Sequence, residues 1–379
     1  MSEVYIARCR TYEYQQVLKA VREAVDGLGG ICRFIQEGQR VLLKPNLLRV
    51  SVPSEAIITH PTVVRAMVEL VQEAGARAVI ADSPGPPYSE ARMRSFYVKA
   101  GLAAVAEETG AELVCSWQPV QLPNPSGKLI KMIDAMDLVT QVDAIINLPK
   151  LKTHGLTRFT GATKNLFGLV PGLVKMGYHA KLQTAELFSE MLIDLLQFHS
   201  PVLTVMDAVV GMEGDGPSAG DPREIGCILA GADGIALDVV ATSMVGIEPA
   251  SVPPLQVAIG RGLTTGEIDD IEVLGVPFEE AQVPDFQPHG AVTSDYRMVP
   301  AFLRDLGARQ LVATPRVGSD CAGCGTCVKT CPVGAITMRG QRAKIDLRKC
   351  IRCYCCHEMC PHRAIILKRP FLGSLISRF

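Results

Sequence analysis

Two stretches of this chain carry the same cysteine spacing. Cys321-x2-Cys324-x2-Cys327-x3-Cys331-Pro332 is followed, 29 residues on, by Cys350-x2-Cys353-x2-Cys356-x3-Cys360-Pro361. The residues after each last cysteine also match, CPVGAITM against CPHRAIIL, so the segment is an internal duplication. Nine of the 13 cysteines lie between Cys321 and Cys360. The N-terminal MSEVYIARCRTYEYQQ is broken by charges and lacks the apolar core of a secretory signal. Thiols crowded together in such a chain point to metal rather than disulfides. A pair of zinc sites would use two C-x2-C pairs each, and would not require the third cysteine or the trailing Cys-Pro. Cys355 lies off the register and reads as a bystander. Cys9, Cys32, Cys115 and Cys227 are scattered singly and read as core residues.

The duplicated spacing resembles the bacterial ferredoxin pattern, in which three thiolates wrap one cubane and the fourth, before proline, crosses to the other. That resemblance implies two 4Fe–4S clusters. One would be held by Cys321, Cys324, Cys327 and Cys360, the other by Cys350, Cys353, Cys356 and Cys331.

Charge separates this tail from the rest. From Thr314 to Phe379 there are 12 Lys or Arg against 3 Asp or Glu, whereas the whole chain holds 38 against 39. Such an asymmetry marks a domain boundary. The near-neutral total argues against a nucleic-acid binder, and the basic tail offers a face to an acidic redox partner protein. The most apolar long stretch, Cys227 to Ile247, carries Asp233 and Asp238, so no membrane span is expected and the chain reads as cytoplasmic. The segment 276–313 is rich in proline and polar residues and reads as a connector with a short helix at Val299 to Gly307. The expected organisation is an α/β domain over 1–275, this connector, a small α+β ferredoxin domain over 314–370, and a tail over 371–379.

Residues 1–275 alternate strand and helix signals. Strands are predicted at Val4–Cys9, Arg40–Lys44, Ala78–Ala81, Val142–Leu148, Val202–Met206 and Gly226–Ala230. Helices are predicted at Tyr12–Leu28, His60–Ala74, Glu90–Thr109, Thr184–Phe198 and Gly234–Val245. In His60–Ala74 the apolar residues Val63, Val64, Met67, Leu70 and Val71 recur at intervals of three and four. Alternation of this kind implies an α/β fold, a mostly parallel sheet covered by helices.

Polar residues gather in loops after the predicted strands: Lys44-Pro45-Asn46, Asp82 to Gly85, Asn147 to His154, and Met206-Asp207 through Glu213 to Pro217. One by one these are ordinary turns. Together they suggest a pocket, because ligands of open α/β sheets bind outside the carboxyl ends of the strands. The candidate residues are Lys44, Asn46, Asp82, Lys150, Lys152, His154, Lys164, Asp207 and Glu213. Lys164, in the run Gly-Ala-Thr-Lys-Asn, suits an anion or a cofactor, and the other lysines could hold an anionic substrate. His154 or Glu213 could handle protons.

LLKPNLL at Leu42–Leu48, ADSPG at Ala81–Gly85, NLPKLKTH…TGATKNLFG from Asn147, and MDAVVGMEGDGP at Met206–Pro217 resemble the family catalogued as domain of unknown function 362. Many of its members end in a double-cubane ferredoxin domain, and the resemblance implies an iron–sulfur protein with an uncharacterised first domain. The segment with His154, Lys164 and His179 is also similar to the central part of the lactate racemase family. That likeness implies Lys164 as the tether of a nickel-pincer nucleotide, His179 as a metal ligand and His154 as an acid/base. The paired glycines that precede the lysine in that family are Ala162-Thr163 here, and its members lack the cysteine-rich tail.

The expected function is a ferredoxin-coupled oxidoreductase, in which the tail exchanges electrons with a substrate or an additional, unknown cofactor in the first domain. The alternatives are an electron carrier or adaptor that docks to a partner oxidoreductase, and a racemase- or isomerase-like enzyme with structural clusters.

Overall fold

The computed structural model describes residues 1–85, 89–288 and 313–368. Its larger part is a ten-stranded sheet. The strands are β1 (Ser2–Arg8), β2 (Arg40–Pro45), β3 (Arg77–Ile80), β4 (Glu112–Leu113), β7 (Ala144–Leu148), β8 (Lys150–His154), β9 (Arg158–Thr160), β10 (Leu203–Glu213), β11 (Asp221–Gly231) and β12 (Ile271–Gly275), with a separate hairpin of β5 (Pro119–Pro123) and β6 (Met132–Met136). The main order is β12-β1-β11-β10-β7-β2-β3-β4, and β8 and β9 extend from β10. The run β10-β7-β2-β3-β4 is parallel, while β11 lies antiparallel between β10 and β1. The sheet is therefore mixed, with mostly parallel pairs.

The central strands are largely apolar because both faces are covered. Val41, Leu43, Ile80, Ile146, Val205 and Ile228 enter the core beneath the helices Tyr14–Gly27 and Pro61–Glu73. Their neighbours Leu42, Val79, Ile145, Met206 and Leu229 face the opposite core, formed with the helix Gly234–Met244. This is the period-two alternation of a strand, with both sets of side chains buried. The helix starts have local causes. Pro61 occupies the first turn after the His60 cap, and Asp233 accepts from the amides of Ile235 and Ala236.

Several expectations need correction. The predicted helix Glu90–Thr109 is two helices, Glu90–Lys99 and Leu102–Thr109, broken where Gly101 takes a φ of 76°. Two polar stretches read as loops are strands. Lys150–His154 forms β8, whose backbone groups pair with β10 and β9, and Met206 to Glu213 continues β10, whose backbone groups pair with β11. Residues 276–288, read as the start of a connector, pack on the first domain: the Val276 amide donates to Ile6 O, the Val283 amide to Met244 O, and Phe286 is buried. The expected helix Val299–Gly307 and the tail 371–379 lie outside the described residues. No helix among the described residues is long and apolar enough to cross a membrane.

The cysteine-rich part forms two small antiparallel pairs, β13 (Thr314–Val317) with β16 (Ile365–Lys368) and β14 (Ile336–Arg339) with β15 (Arg342–Ile345). Two four-residue helices, Thr326–Lys329 and Cys355–Glu358, carry one repeat each. The second helix is pressed into the α/β domain. Tyr354 joins the apolar cluster that contains Phe167, Phe188 and Met191, and its hydroxyl donates to Ala313 O at 2.9 Å.

Candidate functional site

The cysteines gather at two small cavities. Cys321, Cys324, Cys327 and Cys360 line one small cavity, and Cys331, Cys350, Cys353 and Cys356 line another. Equivalent amides aim at equivalent sulfurs: Ala335 N donates to Cys331 Sγ at 3.2 Å and Ala364 N to Cys360 Sγ at 3.3 Å. Amide donors around four thiols suit a negatively charged cubane, so the residues present fit 4Fe–4S ligation. Cys355 is more than a bystander in position. It lines the second of these cavities and also a larger one between the two domains.

That larger cavity, of about 90 Å³, opens at the carboxyl ends of β2 and β3. Lys44 Nζ sits 2.8 Å from Asp82 Oδ1 and donates to Asn165 Oδ1 at 3.0 Å; all three side chains are buried. Asn165 also donates to Asn147 Oδ1 at 2.8 Å, and its own Oδ1 accepts from Asn46 Nδ2 at 3.1 Å. Lys152 Nζ reaches Asn46 Oδ1 and Ile57 O, both at 2.7 Å. Gly168 makes this approach possible, since a Cβ there would collide with Lys44 and Asp82.

Lys164 is presented by the short helix Ala162–Asn165. The start of that helix is held by Asp238, a buried carboxylate on an otherwise apolar helix, which accepts from Ala162 N at 2.6 Å and Thr163 N at 2.9 Å. Gly161 is required beside it, because a Cβ would meet the Asp238 carboxylate. Asp238 was visible in the sequence only as a charge inside an apolar run.

The ferredoxin domain supplies the facing wall with Thr330, Cys355, Glu358 and Met359. Glu358 Oε1 lies 3.1 Å from His154 Nε2, the Glu358 carbonyl accepts from Ser218 Oγ at 2.7 Å, and His357 Nε2 lies 3.2 Å from Asp215 O. A Cβ at Gly85 would stand 2.6 Å from Met359 Sδ. Nδ1 of His154 accepts from the amides of Leu156 and Thr157, so its proton sits on Nε2, toward Glu358. His179 lines the cavity and stacks on Phe188 at 4.6 Å.

Burial dominates the electrostatics. It pushes Lys44 and Lys164 below the usual lysine range, lowers Lys152 well below it, and brings Lys175 to about 7. It also lowers His154 to about 3 and His179 to about 4. For Glu358 burial acts upward, but His154, Lys164 and His179 around it hold the carboxyl below its usual range.

Of the candidates, Lys44, Asn46, Asp82, Lys152 and Lys164 line one cavity, and His154 stands behind Glu358. Lys150 and Asp207 lie elsewhere. They pair at 2.8 Å and share the Tyr12 hydroxyl in a buried network whose polar ends are taken. The register of β8 against β10 shifts between Asp207 and Met212, which separates Lys150 from Lys152. Glu213 accepts from Gln287 N at 2.9 Å near the end of β10, so the proton-handling role considered for it has no place in the cavity. Sequence reasoning missed Lys175, Asn165, Cys355 and Glu358. Cys355 and Glu358 could have been found by aligning the repeats, where Thr326 and Lys329 stand in their places.

Comparison with known proteins gives a consistent frame. Residues 41–243 match the family described as domain of unknown function 362, and residues 320–364 match a 4Fe–4S dicluster domain. A thylakoid-associated protein of Synechocystis is 35% identical over 284 residues, covering 71% of this chain and 83% of the relative. A component of an ion-translocating oxidoreductase complex of Methanosarcina acetivorans is 46% identical over 48 residues, which is 13% of this chain and 18% of that one. Among solved structures, a Thermotoga maritima protein aligns with a TM-score of 0.34 at 13% identity, over 58% of this chain and 56% of its own. The lactate racemase apoprotein of Thermoanaerobacterium thermosaccharolyticum aligns with a TM-score of 0.37 at 11% identity, over 62% and 55%. The chain thus spans little more than half of either solved structure, and likeness at this level carries no argument about chemistry. The family match over more than half of the sequence and the Synechocystis relative show that the chain belongs to the family described as domain of unknown function 362, here joined to a ferredoxin-like 4Fe–4S domain.

Proposed function

We propose that this chain is a two-part redox protein, in which the cysteine quartets hold two 4Fe–4S clusters that pass single electrons between an external protein partner and a small anionic molecule in the cavity between the domains. The observation that carries the reading is the position of Cys355, which lines both the cavity of the second quartet and the larger cavity. The first quartet faces outward, where Cys324 is exposed. An acidic partner would meet the basic tail on that side. In the cavity the lysines attract the anion, Asp82 and Asn165 hold Lys44 in place, and His154 holds Glu358 through its Nε2 proton. The similarity to a component of an ion-translocating oxidoreductase complex supports the electron-transfer part of this reading. The proposed setting is cytoplasmic, and the Synechocystis relative is described as thylakoid-associated.

Protein purified without oxygen is expected to hold about eight irons, and Cys324→Ala and Cys356→Ala each to lose the EPR signal of a different cluster. Reduction of the remaining cluster by reduced bacterial ferredoxin should slow sharply in Cys324→Ala, because the outward entry is gone. Unchanged reduction in that variant, or absence of iron from the wild type, would overturn the proposal.

A further inference from the structure

The cavity between the domains gathers four lysines, Lys44, Lys152, Lys164 and Lys175, and two carboxylates, Asp82 and Glu358. The partners are unevenly shared. Lys44 takes Asp82. Lys152 ends on two neutral oxygens, Asn46 Oδ1 and Ile57 O. Lys175 ends on the Ser83 carbonyl and hydroxyl. Glu358 is engaged by His154, and among the described residues Lys164 has neither a hydrogen bond nor an ion pair. Much of the remaining wall is apolar, with Phe167, Met176 and Met359. Buried amino groups are costly to keep charged unless they are paired, so a cavity with two more lysines than carboxylates lacks the negative charge that would keep all four protonated.

From this arrangement we infer that the cavity binds a small dianion, with Lys152, Lys164 and Lys175 as its ligands. This rests on the reading of the cavity as the substrate site and deepens it. Doubly charged phosphate and a short dicarboxylate share the required chemistry. The space, about 90 Å³, suits a small molecule of either kind. The lysines are fixed for this purpose from the α/β side. Asn46 and Ile57 O hold Lys152, Ser83 holds Lys175, and the Asp238 cap with Gly161 sets the helix that presents Lys164. Lys44, Lys152 and Lys175 are thus tied to the α/β wall, while Lys164 lies within Coulombic reach of Glu358 and Cys355. Burial brings Lys175 to about 7, so a dianion that holds it charged takes up protons from solution above that pH.

The test is calorimetric titration of oxidised, cluster-loaded protein at pH 8 with inorganic phosphate, oxalate and acetate, each in two buffers of different ionisation enthalpy. The expected result is that phosphate or oxalate binds more tightly than acetate, with proton uptake, and the better of the two identifies the dianion class. Lys164→Met, which breaks no hydrogen bond of the protein, should weaken that binding about 10- to 100-fold, the loss of one charge-assisted hydrogen bond. Lys164→Arg should retain most of it, and Lys19→Ala on the surface should change nothing. Equal affinity for acetate and both dianions, or unchanged affinity in both Lys164→Met and Lys175→Met, would overturn the inference. The EPR of the reduced clusters separates the two levels. If acetate alone binds and perturbs one cluster, the dianion inference fails and the substrate-site reading stands. If no anion alters either cluster, that reading falls as well.

Discussion

The two cysteine repeats have the same ligand spacing and opposite surroundings. In the first, Gly325-Thr326-Cys327-Val328-Lys329-Thr330 forms a small helix whose Lys329 is exposed. In the second, Tyr354-Cys355-Cys356-His357-Glu358-Met359 is buried throughout. Cys327 and Cys356 occupy equivalent places, yet the residues around them do different work. Tyr354 anchors the helix in apolar packing, His357 and Glu358 meet Asp215 and His154, and Met359 fits against Gly85. The backbones remain alike even where the side chains should forbid it. Gly323, Gly325 and Gly334 have φ of 69°, 70° and 61°, and their counterparts Arg352, Tyr354 and Arg363 have 58°, 60° and 50°. Left-handed backbone costs a residue with a Cβ roughly 1–2 kcal/mol. At Tyr354 that cost accompanies a docking contact. The duplication therefore keeps one cysteine scaffold, and the substitutions between its copies leave the first copy mostly at the surface, with only Thr330 at the cavity, and bury the second against it.

Exchanging the copies' charges should break this difference. Glu358→Lys would add a cation among the cavity lysines and remove the partner of His154; it is expected to weaken docking of the ferredoxin domain by about 3–5 kcal/mol. Lys329→Glu, the reverse change at the exposed position, should alter stability by no more than about 0.5 kcal/mol. Limited proteolysis and denaturant unfolding would read the contrast, with iron content as the control. Equal effects of the two changes would mean that the repeats are not distinguished by docking.

A second effect belongs to the cavity side alone. His179 is buried and its folded pKa lies at about 4, below the ordinary 6.5. The unfolded chain therefore binds the extra proton first, and stability should fall as pH drops from about 6.5 to about 4, by up to about 3 kcal/mol from this group, while staying flat above. In His179→Phe, which can keep the stacking on Phe188, the slope over that window should shrink. A slope unchanged in the variant would show that other groups carry it.

The smallest effect tests the backbone comparison. Arg363 is exposed, so Arg363→Gly should restore the residue type of the first copy and stabilise the protein by about 0.5–1 kcal/mol, the relief of strain less the entropy of glycine. Destabilisation, measured as a lower midpoint in urea, would mean that the Arg363 side chain compensates for its backbone.

The sequence by itself carried the duplicated cysteine spacing, the shift in charge and most of the sheet. Those features are local or periodic: a spacing, a composition shift, an apolar run such as Val41 to Leu43. It also placed Lys44, Asn46 and Asp82 at strand ends, because turn residues after a parallel strand are readable one strand at a time. Only the tertiary structure decided which of the polar residues meet. Lys150 and Lys152 are two apart on one strand, yet a register shift sends one to Asp207 and the other to the cavity. Asp238 and the Ala162 amide it accepts from lie 76 positions apart in the sequence, and Glu358 is 204 from His154. No periodicity encodes such pairs. They exist because a buried charge must find its partner wherever the packed chain brings one within reach.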